Sequence, residues 1–190
     1  DDGESALEEG DEDMSIGEIT VEFTDGDAEI SRMDLTLVDT QGTTEDPWDV
    51  FETISLWVDG DKVAEMDAND EDEYLDEDAG EIRFSDLGLI GEEDEQLDIV
   101  VAASVQNNVD ADALGEWTLT VTSMRFFDAD GVATTEDDIE DLGNETITFD
   151  VEEAGEDEEL NISLSSSDPD ATDIIVDTDS DTNDVTLMVA

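Results

Sequence analysis

Carboxylates are almost the only side chains in this sequence from which a chemical site could be built. The 190 residues include 62 Asp and Glu but only 4 Lys and Arg, and they include no His and no Cys. A Ser-His-Asp triad, a cysteine nucleophile and a zinc site with nitrogen or sulfur ligands are therefore excluded. The formal net charge of −58 also excludes a nucleic-acid partner, because binding to phosphates depends on Lys and Arg.

Oxygen ligands at a spacing that resembles calcium loops occur in two acidic segments. In the first segment, the ligands at loop positions 1, 3, 5 and 12 would be Asp67, Asn69, Glu71 and Asp78. The second segment would supply ligands from an alternating run, Asp177, Asp179, Asp181 and Asn183. Both depart from the pattern, since the first lacks the glycine of position 6 and the second lacks the acid of position 12. They predict either structural Ca²⁺ sites, with no other cofactor, or solvated turns, in which Asp is common.

Paired carboxylates could in principle hydrolyse a glycoside, but only in a cleft lined with aromatic side chains. Trp57 and Trp117 lie in strand patterns, where packing in the core is expected. Trp48, next to Pro47 in a predicted loop, is the aromatic residue that we expect to be exposed. We therefore expect no enzyme activity, and Trp48 becomes the candidate contact of a carbohydrate-binding module.

The elements that position these residues are predicted to be β-strands. Short apolar blocks with period-2 alternation recur between acidic, Gly-containing turns, a texture typical of an all-β antiparallel sandwich of immunoglobulin-like or Greek-key topology. The clearest hairpin turns at Asp59-Gly60, and a second hairpin is expected around Asp25-Gly26-Asp27. The other expected features are a central strand over residues 97–105 and a long, bulged strand over residues 117–127.

Three segments are expected along the chain. Residues 1–13 are predicted to be an acidic linker or inter-subunit segment, residues 14–142 the main β-sandwich, and residues 143–190 a C-terminal β unit or a junction to the next repeat or subunit. A single helical turn with Thr135 as its N-cap is expected before the second boundary.

Several polar residues have simpler expected roles. Arg32 and Arg83 alternate with apolar residues, so both are predicted to pair with acidic residues across strands on the wet face of a sheet. Asn144 and Asn161 lie in N-x-S/T sequons and are candidate glycosylation sites of a surface protein. No apolar run approaches the ~20 residues of a membrane-spanning helix, so membrane insertion is not expected.

The sequence closes on an apolar strand pattern, VTLMVA, in which Val185, Leu187 and Val189 alternate with other residues. A strand of this kind needs an edge with which to pair, and that edge could belong to another subunit or repeat. This predicts a unit of a larger array, built by strand donation or tandem repetition. The alternative is that the strand closes its own sandwich.

The segment NETITFDVEEAGEDEELNISLSSSDPDATDIIVDTDSDTNDVTLMV resembles repeated segments of large acidic cell-surface proteins of uncultivated bacteria and halophilic archaea. In these proteins an SSSxPxAT joint, here Ser165 to Thr172, connects immunoglobulin-like modules. ISLWVDGDKV followed by GEIRFSDLGLI is similar to the middle of such a module. The resemblance implies a secreted β-module that forms arrays or filaments and brings no catalytic residues. The chain lacks the paired Cys of antibody-type domains, so only the architecture is carried over.

Together these patterns predict a structural subunit or repeat of an extracellular filament, stalk or surface layer, whose partners are copies of itself. Its acidic surface is expected to be tolerated in high salt, where the Debye length falls to ~3 Å at 1 M, or to bind divalent cations. The alternative is a carbohydrate-binding or adhesive cell-surface module that contacts surface glycans.

Overall fold

The protein is described by a computed structural model over residues 6–41, 46–137, 142 and 146–155. Regular structure in these residues consists of strands and two single 3₁₀ turns, Pro47–Asp49 and Glu71–Glu73. The strands are β1 Ala6–Glu8, β2 Met14–Glu22, β3 Ala28–Asp39, β4 Phe51–Val58, β5 Asp61–Asp67, β6 Glu81–Gly91, β7 Gln96–Val105, β8 Gly115–Phe127, β9 Ala133–Glu136 and β10 Thr146–Glu152.

Two sheets are formed by these strands. The six-stranded sheet has the order β1-β10-β8-β3-β6, with β9 also paired to β8, and the four-stranded sheet has the order β2-β7-β4-β5. All pairs are antiparallel except β1 with β10. The predicted all-β sandwich is confirmed. No helix in the described part of the chain is long and apolar enough to cross a membrane.

The core lies between the two sheets and is built from alternating inward side chains of every long strand. At its centre the Phe51 ring packs edge-on against Trp117, with ring centroids 5.2 Å apart, and lies 6.0 Å from Phe149. These three side chains are almost fully buried, which confirms the predicted core role of Trp117. Edge-to-face packing of large rings stabilises a core beyond the area that it buries.

Local turn chemistry produced two correct predictions. β4 and β5 form the expected hairpin, in which Asp59 and Gly60 both adopt positive φ, at 53° and 83°, as a tight hairpin turn requires. β8 also carries the predicted bulge. Its register to β3 shifts between Asp34 and Leu35, which pair with Ser123 and Val121.

Two local predictions were wrong. The turn at residues 25–27 does not close a hairpin, because β2 pairs with β7 in one sheet whereas β3 pairs with β6 and β8 in the other. The expected helical turn at Thr135 is instead strand β9, which pairs with the end of β8. Three hydrogen bonds accepted by Asp128 close the turn between β8 and β9. This turn and the pairing of β9 with β8 outweigh the weak tendency of Thr135 to cap a helix.

The predicted division of the chain also differs from the structure. Leu7, in the expected linker, is fully buried within β1. β10 begins three residues after the expected boundary at 143 and pairs with β8, so it belongs to the six-stranded sheet of the main sandwich. Residues 156–190, the rest of the expected C-terminal unit, lie outside the described residues.

Candidate functional site

Four of the predicted calcium ligands lie in the described loop between β5 and β6. Asp67 ends β5, Glu71 begins the second 3₁₀ turn, and Asn69 and Asp78 lie on either side of that turn. The loop is anchored by the Tyr74 hydroxyl, which donates a 2.9 Å hydrogen bond to the buried Ala68 carbonyl. Among the described residues, no three acidic side chains converge closely enough to hold a metal ion. The calcium site therefore stays a prediction.

Carboxylates in and near this loop repel one another. The pKa of Glu71 is raised above its ordinary value, chiefly by the negative charge of Glu77 and by a hydrogen bond shared with it. The pKa of Asp46 is also raised, first by partial burial and then by Asp49, Glu71 and Asp78. The loop is thus a region of unfavourable like charge.

The other predicted site residues lie outside the described residues. They are the second set of calcium ligands, Asp177, Asp179, Asp181 and Asn183; the sequon residues Asn144 and Asn161; and the assembly strand residues Val185, Leu187 and Val189.

All three arginines of the sequence lie on the outer face of the six-stranded sheet, here called the arginine face and comprising Arg32, Arg83, Arg125 and Asp34. The strand order β6-β3-β8 places Arg83, Arg32 and Arg125 on neighbouring strands, with Arg32 directly opposite Arg125. The fourth basic residue of the chain, Lys62, lies on the other sheet. Three of four cations thus share one face of a molecule with 62 acidic residues.

Asp34 is the centre of the arginine face and is only 2% exposed. Arg83 donates two hydrogen bonds of 2.7 Å to its carboxylate, from Nε and Nη2, in a bidentate pair. The bonds to Asp34 also raise the pKa of Arg83. Arg32 Nε lies 3.6 Å from the same carboxylate. The predicted cross-strand pairing with an acidic residue is confirmed for Arg83, which lies opposite Asp34 on β3. The acidic neighbour of Arg32 is the same Asp34, but the two residues lie on one strand, so that pairing is not across strands.

The outer face of the four-stranded sheet carries a second polar network around Trp57. The indole Nε1 donates to Ser55 Oγ at 2.9 Å, and Ser55 Oγ in turn donates to the Asp13 carboxylate. Lys62 Nζ lies 2.8 Å from that carboxylate, contacts Glu65, and sits 5.2 Å from the centroid of the Trp57 ring. Trp57 is therefore half-buried on an outer face, and its predicted place in the core was wrong.

Trp48 is less available than its loop position suggested. It is half-buried, and its ring packs edge-on against Tyr74 with centroids 5.2 Å apart. Gln106 Nε2 donates a 2.7 Å hydrogen bond to the Trp48 carbonyl, which fixes the backbone there. The side chain serves mainly to cover the core rather than to present an open aromatic platform.

An apolar cleft of about 390 Å³ lies between the sheets, along the inner side of β2. β2 is an edge strand of the described four-stranded sheet, since it pairs only with β7. Apolar side chains from both sheets line the cleft, namely Ile19, Val21 and Phe23 from the β2 side and Val121, Met124 and Phe126 from β8. The lining also includes Leu142 and the polar residues Thr20, Glu22 and Glu136. Toward the other end of β2 the sandwich is closed, because Ile147 packs directly on Gly17.

Neither a protein-family model nor a curated protein matches this chain. Among solved structures, the chain is similar to the crystal structure of ACE19, the collagen-binding subdomain of the Enterococcus faecalis surface protein ACE, at 11% sequence identity. The match covers 70% of this chain and 84% of that chain, with a TM-score of 0.25. A likeness this weak carries no argument about function, and the sandwich rests on the strand pairing itself.

Sequence reasoning missed the arginine face as a unit and the cleft beside β2. Arg32, Arg83 and Arg125 are widely separated along the chain, so only the strand order could bring them together. The alternation of Ile19, Val21 and Phe23 did identify the inward face of β2, but it contained no signal that β2 would be an edge strand of the described four-stranded sheet.

Proposed function

We propose that this chain is a non-catalytic structural unit of an extracellular filament, stalk or surface layer, and that its units join by strand addition at β2. The observation that carries the proposal is that, among the described strands, β2 pairs only with β7, so that its other edge borders the apolar cleft. An added strand would extend the four-stranded sheet with backbone hydrogen bonds. Its alternate side chains would enter the cleft and contact Val121, Met124 and Phe126.

The donor in this proposal is the segment around Val185, Leu187 and Val189 of a second copy. Its period-2 alternation matches the requirement for a strand with one apolar face. Residues at i, i+2 and i+4 of a strand span about 13 Å at 3.3 Å per residue, the same length as Ile19 to Phe23 of β2. The donor and the acceptor therefore have matching periodicity and length.

Complementary variants of the full chain test the proposal. Val21→Asp places a charge in the acceptor cleft, whereas Leu187→Asp places one on the apolar face of the donor. We expect electron microscopy to show filaments of the unaltered chain in high salt and none of either variant alone. An equimolar mixture should form heterodimers, because one variant keeps its donor and the other keeps its acceptor.

A matched control places the same charge on the opposite side of the donor strand. Thr186→Asp should leave the filaments intact, since its side chain alternates with Val185 and Leu187 and lies outside the proposed apolar contact. Filaments that persist in Leu187→Asp, or an unaltered chain that is monomeric in every salt condition, would contradict strand addition.

The acidic surface is the second part of the proposal. We expect the unit to need either molar salt, which screens repulsion among exposed carboxylates, or Ca²⁺ at the junctions between units. The midpoint of thermal unfolding should rise steeply with NaCl. If Ca²⁺ acts at the junctions, chelation in constant high salt should shorten filaments without changing that midpoint.

A carbohydrate-binding or adhesive module is the second candidate, but its contact is better placed on the arginine face than at Trp48. The half-buried Trp48 ring already packs against Tyr74, whereas the arginine face carries a cavity with charged and hydroxyl side chains. Titration with neutral oligosaccharides should leave tryptophan fluorescence unchanged. A quench that is lost in Trp48→Phe would restore Trp48 as the contact.

A further inference from the structure

A cavity of about 470 Å³ opens on the arginine face beside the Asp34 ion pairs. Its polar lining combines two guanidinium groups, two hydroxyls and two carboxylates, from Arg32, Arg125, Ser31, Ser85, Glu29 and Asp86. Its size falls within the range of about 300 to 1,000 Å³ that is common for small-molecule sites. The cavity lies on the outer face of the sheet and is separate from the cleft beside β2.

A bulge in β6 creates this cavity. Ile30 of β3 pairs with Leu89, but Arg32 pairs with Ser85, so three residues of β6 lie opposite one residue of β3. Two of the three have positive φ, Asp86 at 57° and Gly88 at 62°. Left-handed backbone is unfavourable for Asp, and bulges of this kind re-aim side chains around binding sites.

The two arginines of the cavity retain hydrogen-bonding capacity. The buried Nε of Arg32 faces Asp34 at 3.6 Å. Of its two terminal nitrogens, only Nη2 makes a hydrogen bond within the described residues, a long one of 3.5 Å to Ser123 Oγ. The guanidinium of Arg125 lies 4.9 Å from the centroid of the Phe127 ring, and no carboxylate of the described residues is within ion-pair distance of it. By contrast, Arg83 is held by Asp34 through two hydrogen bonds of 2.7 Å.

We infer that this cavity binds an anionic sugar unit of the uronic-acid type, which carries one carboxylate and several hydroxyls. Arg32 and Arg125 supply donors for the sugar carboxylate, a charge-assisted contact that suits guanidinium groups. Glu29 and Asp86 accept hydrogen bonds from sugar hydroxyls, and Ser31 and Ser85 add further polar contacts. A simple anion would use the arginines alone and would leave these acceptors without donors.

The net charge of −58 does not prevent this binding in high salt. At 1 M the Debye length is ~3 Å, so a ligand in the cavity interacts with the arginines that touch it and not with distant carboxylates. At low salt the same ligand would be repelled by the whole surface. Binding that strengthens from low to molar salt is therefore part of the inference.

The test is a titration of the full chain with glucuronate in molar NaCl, followed by NMR chemical shifts. Glucose, which lacks the carboxylate, and acetate, which lacks the hydroxyls, are the matched probes. We expect glucuronate to bind best, and Arg125→Gln to weaken it about tenfold or more, because a charge-assisted hydrogen bond is lost. Lys62→Gln, which removes the one cation of the other sheet, should bind as the unaltered chain does.

A second variant separates sugar recognition from anion binding. Asp86→Asn should reduce the preference for glucuronate over acetate while acetate affinity stays the same or rises. Equal binding of acetate and glucuronate would overturn the sugar assignment and would indicate a carboxylate site suited to an acidic segment of a second copy. Equal binding of glucose, unchanged affinity in Arg125→Gln, or no binding in molar salt would each overturn the inference as well. Filament formation should be unaffected by these variants, so failure here and failure of strand addition are distinguishable.

Discussion

The ion pairs on the two outer faces of the sandwich differ in their geometry and in the exposure of the carboxylate. On the arginine face, Asp34 is 2% exposed and accepts two 2.7 Å hydrogen bonds from Arg83. On the opposite face, the exposed Lys62 contacts Asp13 and Glu65 beside Trp57. The cations Arg83 and Lys62 are similarly exposed, but their partners differ. Arg83 holds a buried carboxylate in a planar fork, whereas Lys62 is a point charge shared between carboxylates at the surface.

This difference indicates which ion pairs stabilise a protein whose charged residues are almost all acidic. An exposed ion pair is screened by salt and contributes little to stability. A buried carboxylate, in contrast, needs its donors whatever the salt concentration, because water cannot replace them. We therefore expect the arginine face to contribute to stability under the high-salt conditions in which the Lys62 contacts fade.

Removal of the fork should give the largest effect. Arg83→Gln leaves the buried Asp34 carboxylate with the distant Arg32 as its remaining cation, so the free energy of unfolding should fall by about 2 kcal/mol. Urea unfolding in molar NaCl measures it. The same loss of unfolding free energy is expected at every lower salt concentration at which the protein still folds. A variant as stable as the unaltered chain would show that the hydrogen bonds from Arg83 do not stabilise the fold.

Lys62→Gln should have a smaller effect that depends on pH. The pKa of Lys62 is raised above its ordinary value of 10.5, first by the hydrogen bond to Asp13 and then by that to Glu65. A raised pKa means that the folded state favours the charged amine. Its stabilising contribution is therefore complete below pH 10.5 and is lost as the pH rises through the higher folded pKa.

The measurement is the difference in unfolding free energy between the unaltered chain and Lys62→Gln, in low to moderate salt. It should shrink as the pH rises above 10.5, and the same comparison for Arg83→Gln should be flat over that range. A difference that grows with pH would contradict the assigned role of Lys62.

The smallest effect is expected where carboxylates meet without a shared cation, at Glu71 and Glu77. The raised pKa of Glu71 means that the folded state holds its proton more tightly, so ionisation near neutral pH is slightly destabilising. Glu77→Gln should lower the pKa of Glu71 toward its ordinary value of 4.5 and slightly stabilise the fold at pH 7. NMR titration of Glu71 measures the shift, and Glu73→Gln in the same turn is the control that should not change it.

Features of the fold that depend on adjacent residues could be predicted, whereas features that depend on distant strands could not. The Asp59-Gly60 hairpin was predicted correctly, because two positive-φ residues between alternating strands leave few other conformations. The turn at residues 25–27 also contains an Asp-Gly pair, yet it connects the two sheets. Nothing local distinguishes these cases, since the choice depends on which distant strand, β7 or β6, pairs with each arm.

The candidate sites divide in the same way. Alternation was enough to predict that Arg32 and Arg83 would face away from the core and pair with an acidic residue. It could not reveal that the partner is one buried Asp34, nor that Arg125 lies on the strand beyond it, because strand order is a non-local property. For Trp57, alternation with the buried Ile54 and Leu56 places the side chain on the outer face, where it packs against Lys62. The expectation of core packing was therefore wrong.

The sequence by itself determined the class of structure and the chemistry open to it. Composition left oxygen ligands and a few cations as the only reactive groups, and the period of 2 in its apolar residues required sheets. Only the tertiary structure decided which strands became neighbours. That decision placed three arginines on one face, with Arg83 and Arg32 against Asp34, opened a cavity at the β6 bulge and left the described edge of β2 beside an apolar cleft. The physical reason is that strand pairing joins residues far apart in the chain, and the side chains along one strand do not specify its partner.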